Sequence, residues 1–158
     1  MPVEIKILDE SLAPHFSRLN RAWIERLYTI EPADEVILAS PQRLVDEGGA
    51  VLFLLVDGEV VGTGGLQNLD HETAEVVKMA IEPTHQGHGL GGRIMVALLD
   101  EARRLGFCRA YIETNADLAS ANGLYRKYGF RPTGQTESLH GYARADMFYE
   151  LGLIQQDF

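Results

Sequence analysis

Between Glu82 and Gly92 the chain runs Glu-Pro-Thr-His-Gln-Gly-His-Gly-Leu-Gly-Gly, with an apolar run before it and a helical pattern after it. A strand, a glycine-rich loop and a helix in that order aim a row of backbone N–H groups, and the positive end of the helix dipole, at one spot. Glycine lets the backbone come close and take positive φ. The guest that suits such a loop is an anion, most simply a phosphate group. Other chemistry is thinner. His85 and His88 would need a third ligand to hold a metal, and none is identifiable, so no metal site is expected. No Gly-x-Ser-x-Gly elbow occurs. Cys108, the only cysteine, opens a strand where a small buried hydrophobe is expected, and alone it forms no intrachain disulfide.

The elements that must position this loop are legible in the apolar spacing. Ile5 and Ile7 alternate with polar residues in a first strand over residues 4–9. Leu12, Phe16, Leu19, Trp23, Leu27 and Ile30 follow a helical period, with Ser11 placed to cap its start. Ser40-Pro41 opens a second, shorter helix that Gly48-Gly49 closes. Glu31, Asp34 and Glu35, between the two, read as an acidic, solvated loop. Residues 51–56 and 59–69 form a hairpin about Asp57-Gly58, whose turn matches the twist of antiparallel strands. Over residues 73–82, alternation puts Glu75, Val77, Met79 and Ile81 on one face and Val76, Lys78, Ala80 and Glu82 on the other. Past the loop, Ile94, Leu98, Ala102 and Leu105 mark a helix ending at Gly106, and residues 109–113 make the next strand. A last helix over about residues 118–128 contains Asn122-Gly123, poor helix formers that packing must hold in place. Short strands near residues 130–133 and 146–151 complete a mixed sheet flanked by helices, of α/β (α+β) class.

With 158 residues, 46% of them hydrophobic, the chain suits one domain over residues 1–158, and no linker, repeat or low-complexity tract marks a boundary. A formal charge of −9 disfavours nucleic acid, because affinity for phosphate backbones comes largely from lysine and arginine. A small cationic acceptor suits it better. The longest apolar run, residues 50–56, falls far short of the ~20 residues needed to cross a bilayer. Glu4, Lys6, Asp9 and Glu10 interrupt any leader pattern, so no membrane partner is expected and a cytoplasmic location is the default.

Gly87, Gly89 and Gly92 also match G-x-G-x-x-G, and Glu113 ends the next strand near the distance at which a dinucleotide fold places its ribose-binding acid. Against that fold, residues 83–86 separate the strand from the glycines. Four expected strands precede the unit, and too little chain follows for a second mononucleotide half. No Gly-Lys-Ser/Thr follows, which excludes a P-loop.

Two segments decide between these readings. The loop carries Gln86-Gly-His-Gly-Leu-Gly91, and the last helix ends in Asn122-Gly-Leu-Tyr-Arg-Lys-Tyr-Gly-Phe130. In that order and separation they resemble the Gln/Arg-x-x-Gly-x-Gly/Ala and Leu-Tyr-x-Lys-x-Gly-Phe signatures of the GNAT superfamily of acyl-CoA-dependent N-acyltransferases, a resemblance covering residues 74–130. It implies a mostly antiparallel sheet of six to seven strands with about four helices, and a strand pair that splays apart to admit coenzyme A. The backbone of Met79, Ala80 and Ile81 would then hold the pantetheine arm. The amides of Gln86, Gly87, His88, Gly89, Leu90, Gly91 and Gly92 would hold the pyrophosphate. The chain departs from the pattern at His88, where Arg or Lys is usual and a neutral imidazole attracts phosphate less. It departs again at Leu118, where an asparagine is common; Asn115 is the nearby substitute.

The same resemblance implies acetyl transfer from acetyl-CoA to an amine of a small molecule or peptide, with Tyr125 protonating the departing thiolate. Glu75, on the same strand face as Met79, stands where some members carry the carboxylate that takes the amine's proton, with Glu113 and His85 in reserve. A strand amide near Met79 would hold the oxyanion. Glu31, Asp34 and Glu35 lie in the region where members bind the acceptor, and a homodimer is a common family assembly. A non-catalytic acyl-CoA sensor on the same fold would keep the glycine loop without needing Tyr125.

Overall fold

The apolar run at residues 50–56 becomes an inner strand of a seven-stranded sheet with both faces covered, which is why it shows no polar alternation. The computed structural model describes residues 2–153. Its strands are β1 (Val3–Ile7), β2 (Ala50–Val56), β3 (Glu59–Asn68), β4 (Thr73–Ile81), β5 (Arg109–Thr114), β6 (Arg131–Pro132) and β7 (Met147–Gly152). The helices are α1 (Ala13–Leu27), α2 (Pro32–Ala39), α3 (Gln42–Asp46), α4 (Leu90–Arg104) and α5 (Ala119–Lys127), with one 3₁₀ turn, Pro83–His85. Sheet order is β1-β2-β3-β4-β5-β7-β6, and among the described residues only β4 and β5 pair in parallel.

Alternate residues of β2 serve two cores. Leu52, Leu54 and Val56 pack beneath α4 with its Ile94, Met95, Leu98 and Ala102. Val51, Phe53 and Leu55 pack on the other face with Phe16 of α1 and Ile37 and Leu38 of α2. Each such side chain contributes about 1.5–3 kcal/mol by leaving water. The hairpin forms at Asp57-Gly58 as expected, with φ of +50° and +83° there. A Cβ at Gly64 of β3 would stand 2.7 Å from Leu98 Cδ1, so α4 lies close to the sheet there.

Three local expectations change. Ser11 does not cap α1. Its hydroxyl donates to Asp9 Oδ1, and that carboxylate accepts the Leu12 N–H at 2.9 Å. The acidic segment after α1 is itself a helix, α2, entered through Pro32 at a first-turn position that lacks an N–H to lose.

The third change lies in β4. Register runs Thr63↔Ala80 and then Gly65↔Val77, so β4 carries one extra residue, and Lys78 has φ of +54°. This bulge breaks the alternation. Ala74, Val76, Met79 and Ile81 all face the α4 core while Val77 packs with α2, so Glu75 and Met79 do not share a face.

Candidate active site

β4 and β5 pair only through Thr73↔Arg109, Ala74↔Ala110 and Glu75↔Tyr111. Beyond these the strands separate, leaving the β5-side edge of β4 unpaired from Val76 to Ile81 among the described residues. A cleft of about 470 Å³ opens there. Met79, Ala80 and Ile81 line it from β4, Thr114 and Asn115 from the end of β5, and Ala119, Ser120, Ala121 and Tyr125 from α5. It reaches Gln86 at one end and Glu75, His140 and Tyr142 at the other.

At the Gln86 end, Gln86 Nε2 donates to Ile81 O at 3.1 Å and ties the glycine loop to the strand end. Gly89 caps α4 with φ of +74°, and Gly87 has φ of +83°. The first backbone bond of α4 runs from Arg93 N–H to Gly89 O, so the N–H groups of Leu90, Gly91 and Gly92 have no acceptor within the helix. His88 is exposed beside them.

Tyr125 is set by aromatic packing, with ring centroids 6.2 Å from Phe130 and 5.7 Å from Tyr149, both edge-on. Burial pushes its phenol up to about 12, with the Thr114 side chain acting in the opposite sense. Asn122 justifies its place in α5. Its Nδ2 donates to Asn115 O and Leu118 O at 2.9 and 2.7 Å, and its Oδ1 accepts Tyr149 O–H at 2.7 Å. The Asn115 side chain is engaged within the protein, donating to Arg144 O and accepting from Asp117 N–H, both at 2.8 Å.

Glu75 is 3% exposed, and its Oε1 lies 2.5 Å from His140 Nε2. Burial raises the Glu75 carboxyl while the His140 bond works against it; the same bond raises the imidazole above the ordinary histidine value against its own burial. Glu113 faces this pair as a loop anchor, accepting from Tyr111 O–H at 2.8 Å, Ser138 O–H at 2.5 Å and Leu139 N–H at 2.7 Å. Glu75, Glu113 and His140 each offer a ligand atom within 4.8 Å of the others, yet Glu113 is already satisfied by those donors and Glu75 by His140. His85, the other reserve, meets Thr84 on the 3₁₀ turn outside the cleft.

Asp34 is not solvated. It has 0% exposure and four donors: Lys78 Nζ at 2.5 Å, Arg144 through both terminal nitrogens at 2.6 and 2.8 Å, and Glu31 N–H at 2.9 Å. Burial acts to raise the Asp34 carboxyl, and the Arg144 and Lys78 donors outweigh it, holding it at about 2. Glu31 accepts Ala143 N–H at 2.9 Å, and Glu35 pairs with Arg21 at the surface. Together these bonds clamp the 133–146 loop, which carries His140 and Tyr142, onto α2 and the β4 bulge. Sequence reasoning missed His140, Tyr142 and Arg144. The alternation His-x-Tyr-x-Arg was one signal, and Glu31-Pro-Ala-Asp34, an acid three residues after a helix-opening residue, was another.

A family model described as the Acetyltransferase (GNAT) family matches residues 9–130. The chain belongs to the GNAT family. Among relatives, it is 37% identical over 86 residues to the uncharacterized N-acetyltransferase YjgM of Escherichia coli, covering 52% of each chain. To the IAA acetyltransferase of Azospirillum brasilense it is 34% identical over 105 residues, covering 65% of this chain and 68% of that one. It thus spans about half the length of YjgM and two thirds of the Azospirillum protein. Among solved structures, a GNAT-family acetyltransferase of Staphylococcus aureus Mu50 superposes with a TM-score of 0.86 at 18% identity, over 97% of this chain and all of that one. The yncA protein of Salmonella typhimurium, solved with acetyl-CoA, gives 0.78 at 23% identity, over 100% and 98%. Both likenesses carry the GNAT fold, and the splayed β4/β5 pair is the feature the resemblance implied. Among the described residues no helix is long and apolar enough to cross a membrane.

Proposed function

We propose that this GNAT chain moves the acetyl group of acetyl-CoA to a primary amine of a small molecule or peptide, by direct attack within a ternary complex. The observation that carries this reading is the continuous cleft from the glycine loop at Gln86, past the open edge of β4, to Tyr125 and Glu75. Acetyl-CoA would lie along it with its pyrophosphate on the α4 amides, its pantetheine along Met79, Ala80 and Ile81, and its thioester beside Tyr125. The Salmonella structure's bound acetyl-CoA supports the choice of donor.

In the reaction the amine lone pair forms the N–C bond and the carbonyl pair moves to oxygen, held by a β4 amide near Met79. The C–S bond then breaks, sulfur takes a proton from Tyr125, and the nitrogen's proton leaves toward the Glu75–His140 pair. A phenol at about 12 facing a thiolate of model value ~8.5 makes full transfer uphill by roughly 5 kcal/mol. Tyr125 therefore works chiefly as a neutral hydrogen-bond donor whose proton follows as the thiolate charge develops.

The direct test is a thermal shift. Coenzyme A at a hundred times its dissociation constant should stabilise the fold by ~2.7 kcal/mol, and NAD should give none. A shift with NAD and none with coenzyme A would replace this reading with the dinucleotide one. Gly89→Val separates loop from fold. A Cβ at Gly89 meets nothing within 4 Å, so the fold loses only the ~1–2 kcal/mol of a left-handed β-branched residue. Coenzyme A affinity by calorimetry should fall more than about tenfold, equivalent to ~1.4 kcal/mol or more.

A further inference from the structure

We infer that His140 is the base that meets the acceptor amine, and that Glu75 acts through it as a positioning residue. The inference rests on the acetyl-transfer reading and names a group that no motif of the chain assigns.

Glu75 is 3% exposed and bonded to the imidazole, whereas the His140 side chain keeps 21% exposure at the cleft wall. Their 2.5 Å contact is through Nε2. With Glu75 ionised, that nitrogen carries the proton and donates it, which leaves the lone pair on Nδ1, an atom with no protein partner among the described residues. This is the logic by which a carboxylate behind a histidine selects the basic tautomer. Glu75 Oε1 is occupied by His140, so an amine meets that oxygen only after displacing the ring.

The loop holds that ring in place. His140 and Tyr142 N–H both donate to Ser138 Oγ at 3.1 Å, Ser138 donates to Glu113, and the Tyr142 ring packs edge-on against His140 at 5.8 Å. Tyr142 is in turn fixed by Lys78, whose Nζ donates to its hydroxyl at 3.2 Å, and by Arg144, 4.6 Å above its ring. The charged and titratable groups facing the imidazole are thus Glu75 and Lys78 of β4, Glu113 of β5 and Tyr142 of its own loop. The two carboxylates favour the imidazolium while Lys78 and burial oppose it.

The step balances simply. The attacking nitrogen gives one proton to Nδ1 as the N–C bond forms, the C–S bond breaks, and the thiolate takes one proton from Tyr125. Imidazolium and tyrosinate then return to their starting states by exchange with water, leaving amide and free thiol.

Two measurements test it. The first uses ¹⁵N NMR of the imidazole, needing no acceptor. The expected result is an Nε2–H tautomer titrating above the ordinary histidine value, moving to lower pH in Glu75→Gln. An Nδ1–H tautomer, or a titration indifferent to Glu75→Gln, overturns the proposal. The second follows thiol release from acetyl-CoA with an alkylamine, an arylalkylamine, an amino acid and a peptide N-terminus. His140→Ala should lower kcat by about 10²–10⁴ with the acetyl-CoA KM unchanged, and added imidazole should restore part of it. Glu75→Gln should keep measurable turnover, with its acid limb shifted to lower pH. If His140→Ala is as active as the parent, or Glu75→Gln alone abolishes the limb, Glu75 is the base and the inference falls. If the parent binds acetyl-CoA but acetylates none of the four, the transferase reading fails, and the NMR result still decides the dyad.

Discussion

Replacing Tyr125 by phenylalanine is expected to lower turnover by about 10²–10⁴ while acetyl-CoA still binds. The ring stays, so its edge contacts to Phe130 and Tyr149 and the packing of α5 are kept; only the hydroxyl goes. The thiolate then departs into a cleft with no donor in that place, at a cost of about 3–5 kcal/mol in the barrier. The check is kcat by thiol release beside coenzyme A affinity by calorimetry. Parent-level turnover in the variant removes Tyr125 from the mechanism. A parent with no turnover on any amine, yet tight coenzyme A binding, favours the sensor reading.

Asp34→Asn is expected to be the most destabilising single change at the site, by about 3–5 kcal/mol, because it strands Lys78, 6% exposed, without a paired carboxylate and leaves Arg144 only its bond to Glu31. In a chain of this size that corresponds to a fall in Tm of roughly 6–20 °C, read by calorimetry. A loss under about 1 kcal/mol would mean that water already screens the cluster. The same carboxylate gives the parent a defined acid response. Its folded value, about 2, lies below the unfolded ~3.9, so its stabilisation is complete above about pH 4 and is lost as pH falls toward 2. The loss amounts to about 2–3 kcal/mol, and Asp34→Asn should flatten the stability curve over that window.

Strand, hairpin and helix positions were largely legible because their causes are local. Val51 to Val56 show a run too apolar for a one-faced strand, Asp57-Gly58 has its turn geometry written into two residues, and Ile94, Leu98 and Ala102 repeat at 3.6. The glycine loop was legible for the same reason, since the N–H groups left without an acceptor at the start of α4 belong to one short segment. The extra residue in β4 was not, because a bulge is decided by the register of β3 against β4 and leaves no mark on β4 alone. Asn122 looked like a weak point of α5 until its three partners were placed around it.

What the sequence determined by itself is therefore the half proposed to bind the coenzyme, Gln86 through Gly92 and the Tyr125 helix, where backbone geometry and short-range spacing carry the information. The tertiary structure alone decided the half proposed to meet the acceptor. Asp34 meets Arg144 across 110 positions and Glu75 meets His140 across 65. Charges so far apart in the chain show only their solvated identities in the sequence; burial and close approach turn them into a clamp and a dyad.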